Sequence, residues 1–267
     1  MDTGLIFDWA FFWRHLLTPT DAFLDGLWRT IYISVAAMAL ALVVGVGIAL
    51  MGRSKIALFR GFAGVYIWLI RGTPLLVQLV LIYSGLAAIG VYRFQDIFIF
   101  GFVFQGVIQA AIITLTIHEG AYISEIVRSG IEAVDRGQLE AAEALGLTPA
   151  RGMRQIVIPQ ALRTMVPPLG NIFNGLMKTT SILSIIGVSE MFLVAQGISS
   201  TTFKTFEIFL VAAVYYLALT TIWTFIQRAI EIKLNDQIGI IRAKSMMQRF
   251  IDRRSIKELV RSPDGNH

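Results

Sequence analysis

Apolar residues in this chain gather into five long runs separated by short polar connections. A charge-free run from Thr30 to Gly52 is long enough to cross the ~30 Å hydrocarbon layer of a bilayer. A second runs from Gly61 to about Gly90 and is interrupted by Arg71–Gly72–Thr73–Pro74, where proline removes a backbone donor and bends a helix. The third, Ile97 to Ile117, leads directly into His118 and Glu119. After a polar stretch from about Arg128 to Arg163, a fourth run spans Met165 to Val194, broken by Pro167–Pro168, several glycines and Lys178. The fifth covers Ile208 to Gln227, and a tail rich in Lys and Arg follows. The pattern predicts an all-α integral membrane protein with a five-span core.

Composition strengthens that reading. Of 267 residues, 55% are hydrophobic and 15% charged, against about 25% charged in soluble domains; the mean hydropathy is +0.68. The net charge of +5 would raise a nucleic-acid reading in a soluble protein, but here it fits basic loops on one side of a membrane, and no nucleic-acid partner is expected. Most Lys and Arg fall in the first-to-second connection, the third-to-fourth connection and the tail. That bias puts these segments and the C-terminus in the cytoplasm and the N-terminus outside. The chain has no cysteine, which excludes disulfides and thiolate chemistry. Its start carries an acid and no small-residue cleavage site, so no cleaved signal peptide is expected. The aromatics from Phe7 to Trp13 suit either a headgroup-layer segment or a helix packed on the spans. Three parts are expected: an interfacial segment (1–25), a transmembrane domain (26–232) with a loop at about 131–163, and a basic cytoplasmic tail (233–267), lying in solvent or on the membrane surface. No internal repeat is visible, which disfavours a carrier built of inverted halves.

The polar loop is helix-forming over Glu140–Ala144, with Gly146 placed to end the helix. Thr148 and Pro149 then start a second short helix, expected to run to Pro159. Two short helices at a sharp angle make a rigid knob, the shape needed to dock in a partner's cleft.

Glu140, Ala141, Ala142, Gly146, Ile156, Ile158 and Pro159 carry a resemblance. Together they resemble the EAA loop of permease subunits of bacterial ABC importers, with Ile158 where leucine is usual. Gly26–Ser34, Arg71–Leu79, Gly120–Gln138, Pro167–Asn171 and Lys178–Glu190 resemble the histidine/glutamine, polar amino-acid branch of that family, in the family's order. The resemblance covers about residues 25 to 232 and implies the type I importer permease fold. It implies a multi-pass protein of the bacterial cytoplasmic membrane that pairs with a second permease chain, identical or not. It further implies two ATPase subunits gripping the coupling residues Glu140, Ala141, Ala142, Gly146, Ile156 and Pro159, and a periplasmic or extracellular solute-binding protein. The chain has no Gly-x-x-x-x-Gly-Lys-Ser/Thr; Gly170 to Gly175 continues into Leu176–Met177. It is therefore expected to be non-catalytic and to hold no cofactor, with ATP and magnesium bound by the partner. A permease for another small solute class, or a channel or secondary carrier, are the alternatives.

Ionisable groups inside a membrane mark functional sites by default. Glu119 is the clearest, with His118 beside it and Tyr122 one turn on. A zinc reading of His118–Glu119 fails because Tyr122 stands where the second histidine is needed. Glu119 is expected to meet a solute cation, as the resemblance implies for this stretch, or else to partner Arg71 or Lys178. The fourth run offers Asn171, Lys178, Thr179 and Ser181, whose polar groups are tolerated at depth only beside a cavity or inside protein. Lys178 is suited either to a solute carboxylate or to a bridge across the bundle.

Overall fold

The computed structural model describes residues 7–99 and 101–237. Residues 238–267 of the tail expected over 233–267, and the first six residues, therefore lie outside the described residues; 233–237 continue the last helix.

Helix α1 (Trp9–Leu17) is followed by the 32-residue α2 (Asp21–Gly52), which starts well before the charge-free run because Thr20 caps it through the Phe23 amide. Helix α3 (Ala57–Arg71) turns through 106° at Gly72–Pro74 into α4 (Leu75–Val80), a π turn (Leu81–Gly85) and α5 (Leu86–Ala88). Strands β1 (Ile97–Ile99) and β2 (Phe102–Phe104) precede α6 (Gly106–Glu132). The polar loop after α6 holds α7 (Arg136–Ala144) and α8 (Pro149–Gly152). A π turn (Met153–Val157) joins α8 to α9 (Ile158–Thr179), followed by a 3-10 turn (Thr180–Ile186), α10 (Met191–Thr202) and α11 (Thr205–Gln237). Three helices, α2, α6 and α11, are long and apolar enough to cross a membrane unaided. Two pairs bent by 106° and 54° bring the total among the described residues to as many as five, if each pair is one span.

Two expectations need correction. The third apolar run is not one helix: Ile97–Phe104 forms a hairpin, and α6 begins only at Gly106. Gly101 turns the chain at φ +84°, and β-branched and aromatic neighbours favour strand on either side. The second loop helix does not stop at Pro159 either. A proline ring collides with the carbonyl four residues back, and the π turn just upstream widens the helix there, so the rod continues to Thr179. Helix α6 likewise persists past Arg128, which bonds Glu125 and Glu132 one turn to either side.

The bundle centres on α2 and α6. Thr30, Ser34, Ala37, Ala41 and Gly45 recur on one face of α2, and small residues let membrane helices approach closely. A Cβ on Gly45 would stand 2.5 Å from Ile123 of α6. Ile33, Leu79, Leu115, Leu176 and Leu183 bring α4 and α9 into the same core. Phe12 of α1 is buried with Phe23, Met191 and Ile208, while Trp9 and Trp13 face outward, so this segment both packs on the spans and presents an aromatic face. Its start is fixed to the α10–α11 turn: the Asp8 amide donates to Glu207 Oε1 at 2.9 Å, and the Asp8 carboxylate lies 3.1 Å from Lys204 Nζ. The Phe11 amide and then the Lys204 ammonium hold the Asp8 carboxyl below the usual carboxylate range.

Candidate functional site

Two regions carry the candidate residues. The first is the loop after α6. The Asp135 side chain accepts from the Gly137 amide at 2.6 Å and opens α7, which bears Glu140, Ala141 and Ala142. Gly146 ends the helix at φ +78°, a conformation that costs other L-residues about 1–2 kcal/mol. The Gly146 amide donates to Glu143 O and the Leu147 amide to Ala142 O, at 2.9 and 3.0 Å. Thr148 then caps α8, with Pro149 in its first turn. Ala142 is buried beside Gly152, where even a methyl would come within 3.6 Å, so the two helices touch. Ile156 is half-buried in the π turn and Pro159 half-buried in the first turn of α9, while Glu140 and Ala141 are exposed. Leu145, at the corner, is 82% exposed. A cleft of about 520 Å³ separates this knob from the helix ends above it, bordered by Arg53, Glu132, Glu140 and Glu143.

The second region surrounds the corner between α3 and α4. Gln78 is buried, and its Nε2 donates to Ile70 O (2.8 Å), Thr73 O (3.1 Å) and Thr73 Oγ1 (2.8 Å), binding the corner together. Its Oε1 lies 3.0 Å from His118 Nδ1. The His118 ring sits 5.2 Å from the Tyr122 ring on the same face of α6, and Arg71 stacks over Tyr122 at 5.3 Å. Arg71 Nη1 is 3.6 Å from Glu125 Oε2, which also receives Arg128 Nη2 at 3.0 Å. Arg71, Tyr122 and Glu125 open onto a groove of about 720 Å³ between α6 and α9, with Pro168 and Asn171 in its walls. It offers a cation, an anion, an aromatic face and an amide within one side chain's reach.

The structure thus brings Tyr122 and Asn171 to the groove, sets His118 beside Tyr122 but outside the groove's lining, and leaves others apart. Glu119 is half-buried and makes no hydrogen bond or ion pair with another described residue. Arg71 takes Glu125 as its partner instead, because Glu125 lies beyond Tyr122 on the same face of α6. Lys178 is exposed, seven residues and so about two turns from Asn171 on the same face of α9. Its carbonyl accepts from Ser181 Oγ at 2.8 Å, and Thr179 is half-buried beside it. Among the described residues no group of three or more His, Asp or Glu is placed to hold a metal.

Sequence reasoning missed several buried polar residues, Gln78 and Glu190 among them. Gln78 was legible only as a polar residue four places after Pro74 in an apolar run. Glu190 is fully buried as the cap of α10, accepting from the Phe192 and Leu193 amides (2.9 and 2.8 Å) and from Tyr216 Oη (2.9 Å). A carboxylate directly ahead of an apolar helix was its only signal.

Comparison with known proteins places this geometry. The profile of the family described as "Binding-protein-dependent transport system inner membrane component" matches residues 41–236. The "Probable amino-acid permease protein YxeN" of Bacillus subtilis (strain 168) is 36% identical over 219 residues, 82% of this chain and 94% of the relative. The "Glutamine transport system permease protein GlnP" of Escherichia coli (strain K12) is 37% identical over 227 residues, covering 84% and 96%. Among solved structures, the "Crystal structure of an amino acid ABC transporter with histidines" aligns at a TM-score of 0.73 and 37% identity, over 81% of this chain and 96% of that one. A bundle with up to five spans and a capped knob, matched along most of its length by permeases, belongs to the family of binding-protein-dependent transport system inner membrane components.

Proposed function

We propose that this chain supplies half of the membrane pathway of an ATP-driven importer for polar amino acids. The knob carries the reading. It is capped at both turns, presents the apolar Leu145 at its corner, and joins α9 without a break. Two ATPase subunits hold ATP and magnesium, and each grips one knob through the surface carrying Glu140, Ala141, Ala142, Gly146, Ile156 and Pro159. A second permease chain closes the groove, and a solute-binding protein delivers solute from outside. The N-terminus lies outside and the loop and basic tail inside, with residues 1–25 in the outer headgroup layer, 26–232 forming the transmembrane domain and 233–267 the tail.

The groove supports the solute class. An α-amino acid is a zwitterion, and Arg71, Glu125, Tyr122 and Asn171 offer complementary charges and hydrogen-bonding groups over the span of one such molecule. His118, Glu119, Lys178, Thr179 and Ser181 border the pathway above and around it. The names of the relatives, glutamine and amino-acid permeases, point the same way.

The test is reconstitution of the chain in proteoliposomes with its ATPase, second permease chain and solute-binding protein, followed by uptake of labelled polar amino acids. Uptake is expected to need ATP and every component. Uptake that continues without the ATPase would make the chain a carrier or channel. Binding-protein-dependent uptake of another solute class, with amino acids ignored, would overturn the substrate assignment alone.

A further inference from the structure

The hairpin between α5 and α6 has no polar side. Its register pairs Ile97 with Phe104 and Phe98 with Val103, so the first pair faces one side of the ribbon and the second the other. Strands with one face in water alternate apolar with polar residues; this one does not. Phe98 is 78% and Val103 50% exposed on one face, and Ile97 and Phe104 are exposed on the other.

The hairpin is also rigidly placed. Gly106, the first residue of α6, donates its amide to Asp96 Oδ1 at 2.8 Å. The buried Gln109 donates through Nε2 to Gln95 O and Phe104 O, each at 2.9 Å, binding both strands to the first turn of α6. From there α6 runs 27 residues, about 40 Å, to the coupling loop. The hairpin therefore sits at the far end of a membrane-crossing helix from the knob, at the level where spans leave the hydrocarbon.

We propose that this hairpin is a lipid-contacting anchor, lying in the headgroup layer with both faces against lipid. Three observations select the bilayer as its occupant. The apolar surface continues from the hairpin into the exposed Ile89, Val91 and Tyr92 at the end of the second, bent span, with Val91 and Tyr92 lining one cleft with Ile97 and Phe98. Its base carries Tyr92, Arg93 and Asp96 around a cleft of about 790 Å³, and aromatic and cationic side chains are those that settle at headgroup level. Its strands reach only about 10 Å and leave open backbone edges, which the hydrocarbon centre does not admit but hydrated headgroups do. An isolated two-stranded hairpin is marginal in water; lipid on both faces supplies the missing burial. The proposal rests on the chain's crossing a membrane and not on what it transports.

The absence of cysteine makes the test direct. Phe98→Cys and Ile97→Cys, at exposed positions on opposite faces of the ribbon, are labelled with a nitroxide in the full chain. The labelled chain is assembled with cysteine-free partner subunits in nanodiscs of phosphatidylcholine and phosphatidylglycerol. Collision rates are then measured with oxygen, which concentrates in lipid, and with a water-soluble nickel chelate. At headgroup level, oxygen and nickel collisions are expected to be comparable at both positions and well above those of a protein-buried site. Nickel dominance at either position overturns the proposal, because one face then stands in water. Protection from both reagents overturns it too, by showing that protein covers the hairpin.

Discussion

Arg71 closes α3 with its Nη1 3.6 Å from Glu125 Oε2, while the same guanidinium stacks 5.3 Å over the Tyr122 ring. The contact joins the last residue before the 106° corner to α6. Glu125 already holds Arg128 at 3.0 Å, so Arg71 is the more loosely held of its two cations. Both side chains of the Arg71–Glu125 pair are partly exposed, which leaves Arg71 free to exchange this carboxylate for one arriving in the groove.

Arg71→Gln separates a solute contact from a structural pair. Exposed ion pairs contribute at most about 1 kcal/mol, so the melting temperature of the purified complex should change little. Losing a charge-assisted bond to solute costs ~1.5–3 kcal/mol, and half-saturation for uptake should rise roughly ten- to a hundredfold. A large fall in melting temperature with unchanged half-saturation would assign Arg71 to the scaffold.

Glu119→Gln tests the carboxylate that has no partner among the described residues. With no ion pair to break, the variant should melt as the parent does. Solute affinity of the permease complex should fall roughly tenfold or more, while capture by the solute-binding protein stays normal. Normal affinity with a lowered melting point would remove Glu119 from the pathway.

Gly146→Ala imposes a Cβ on a residue at φ +78°, a local cost of about 1–2 kcal/mol. The spans do not pass through that turn, so insertion and fold should survive. Solute-stimulated ATP hydrolysis should drop, and Gly146→Asn, better suited to this conformation, should retain more than Gly146→Ala. Equal hydrolysis in parent and both variants would detach the turn from coupling.

Gln78→Leu keeps the volume and removes both ends of the amide that binds the corner. It leaves the donor needs of Ile70 O and Thr73 O unmet and His118 without its partner. A destabilisation of about 1–3 kcal/mol is expected, read as a fall in melting temperature in nanodiscs. A variant as stable as the parent would show that the corner holds without Gln78.

Single-cysteine labelling tests orientation. A cysteine at Gln138 should react only from the cytoplasm, and cysteines at Tyr92 and Ser200 only from outside. Cytoplasmic access at Tyr92 would invert or miscount the spans.

The knob was readable in the sequence because its chemistry is local: a glycine needing positive φ, a threonine cap and a proline in a first turn act within a few residues. The five apolar stretches were readable because bilayer thickness sets their length. The hairpin was not, since eight apolar residues fit a buried helix segment as well as a strand. Nor was the choice of Glu125 over Glu119 as partner for Arg71. Those carboxylates lie six residues apart on one helix, and only the approach of α3 across α6 selects between them. Glu190 and Gln78 stayed hidden for the same reason: their partners are amides and carbonyls that the folded chain brings together.

The unbroken passage from α8 through the π turn into α9 makes the knob and the groove wall one lever. From Ile156 to Asn171 is fifteen residues, about 22 Å of stiff rod. A stroke at Pro149 reappears as tilt at Asn171, less what the π turn and Pro167–Pro168 absorb. The corner at Gly72–Pro74 is the opposite kind of part, because Gln78 ties Ile70 and Thr73 together across it. The groove thus lies between a locked wall and a lever, and the π turn is where that lever is thinnest in hydrogen bonds.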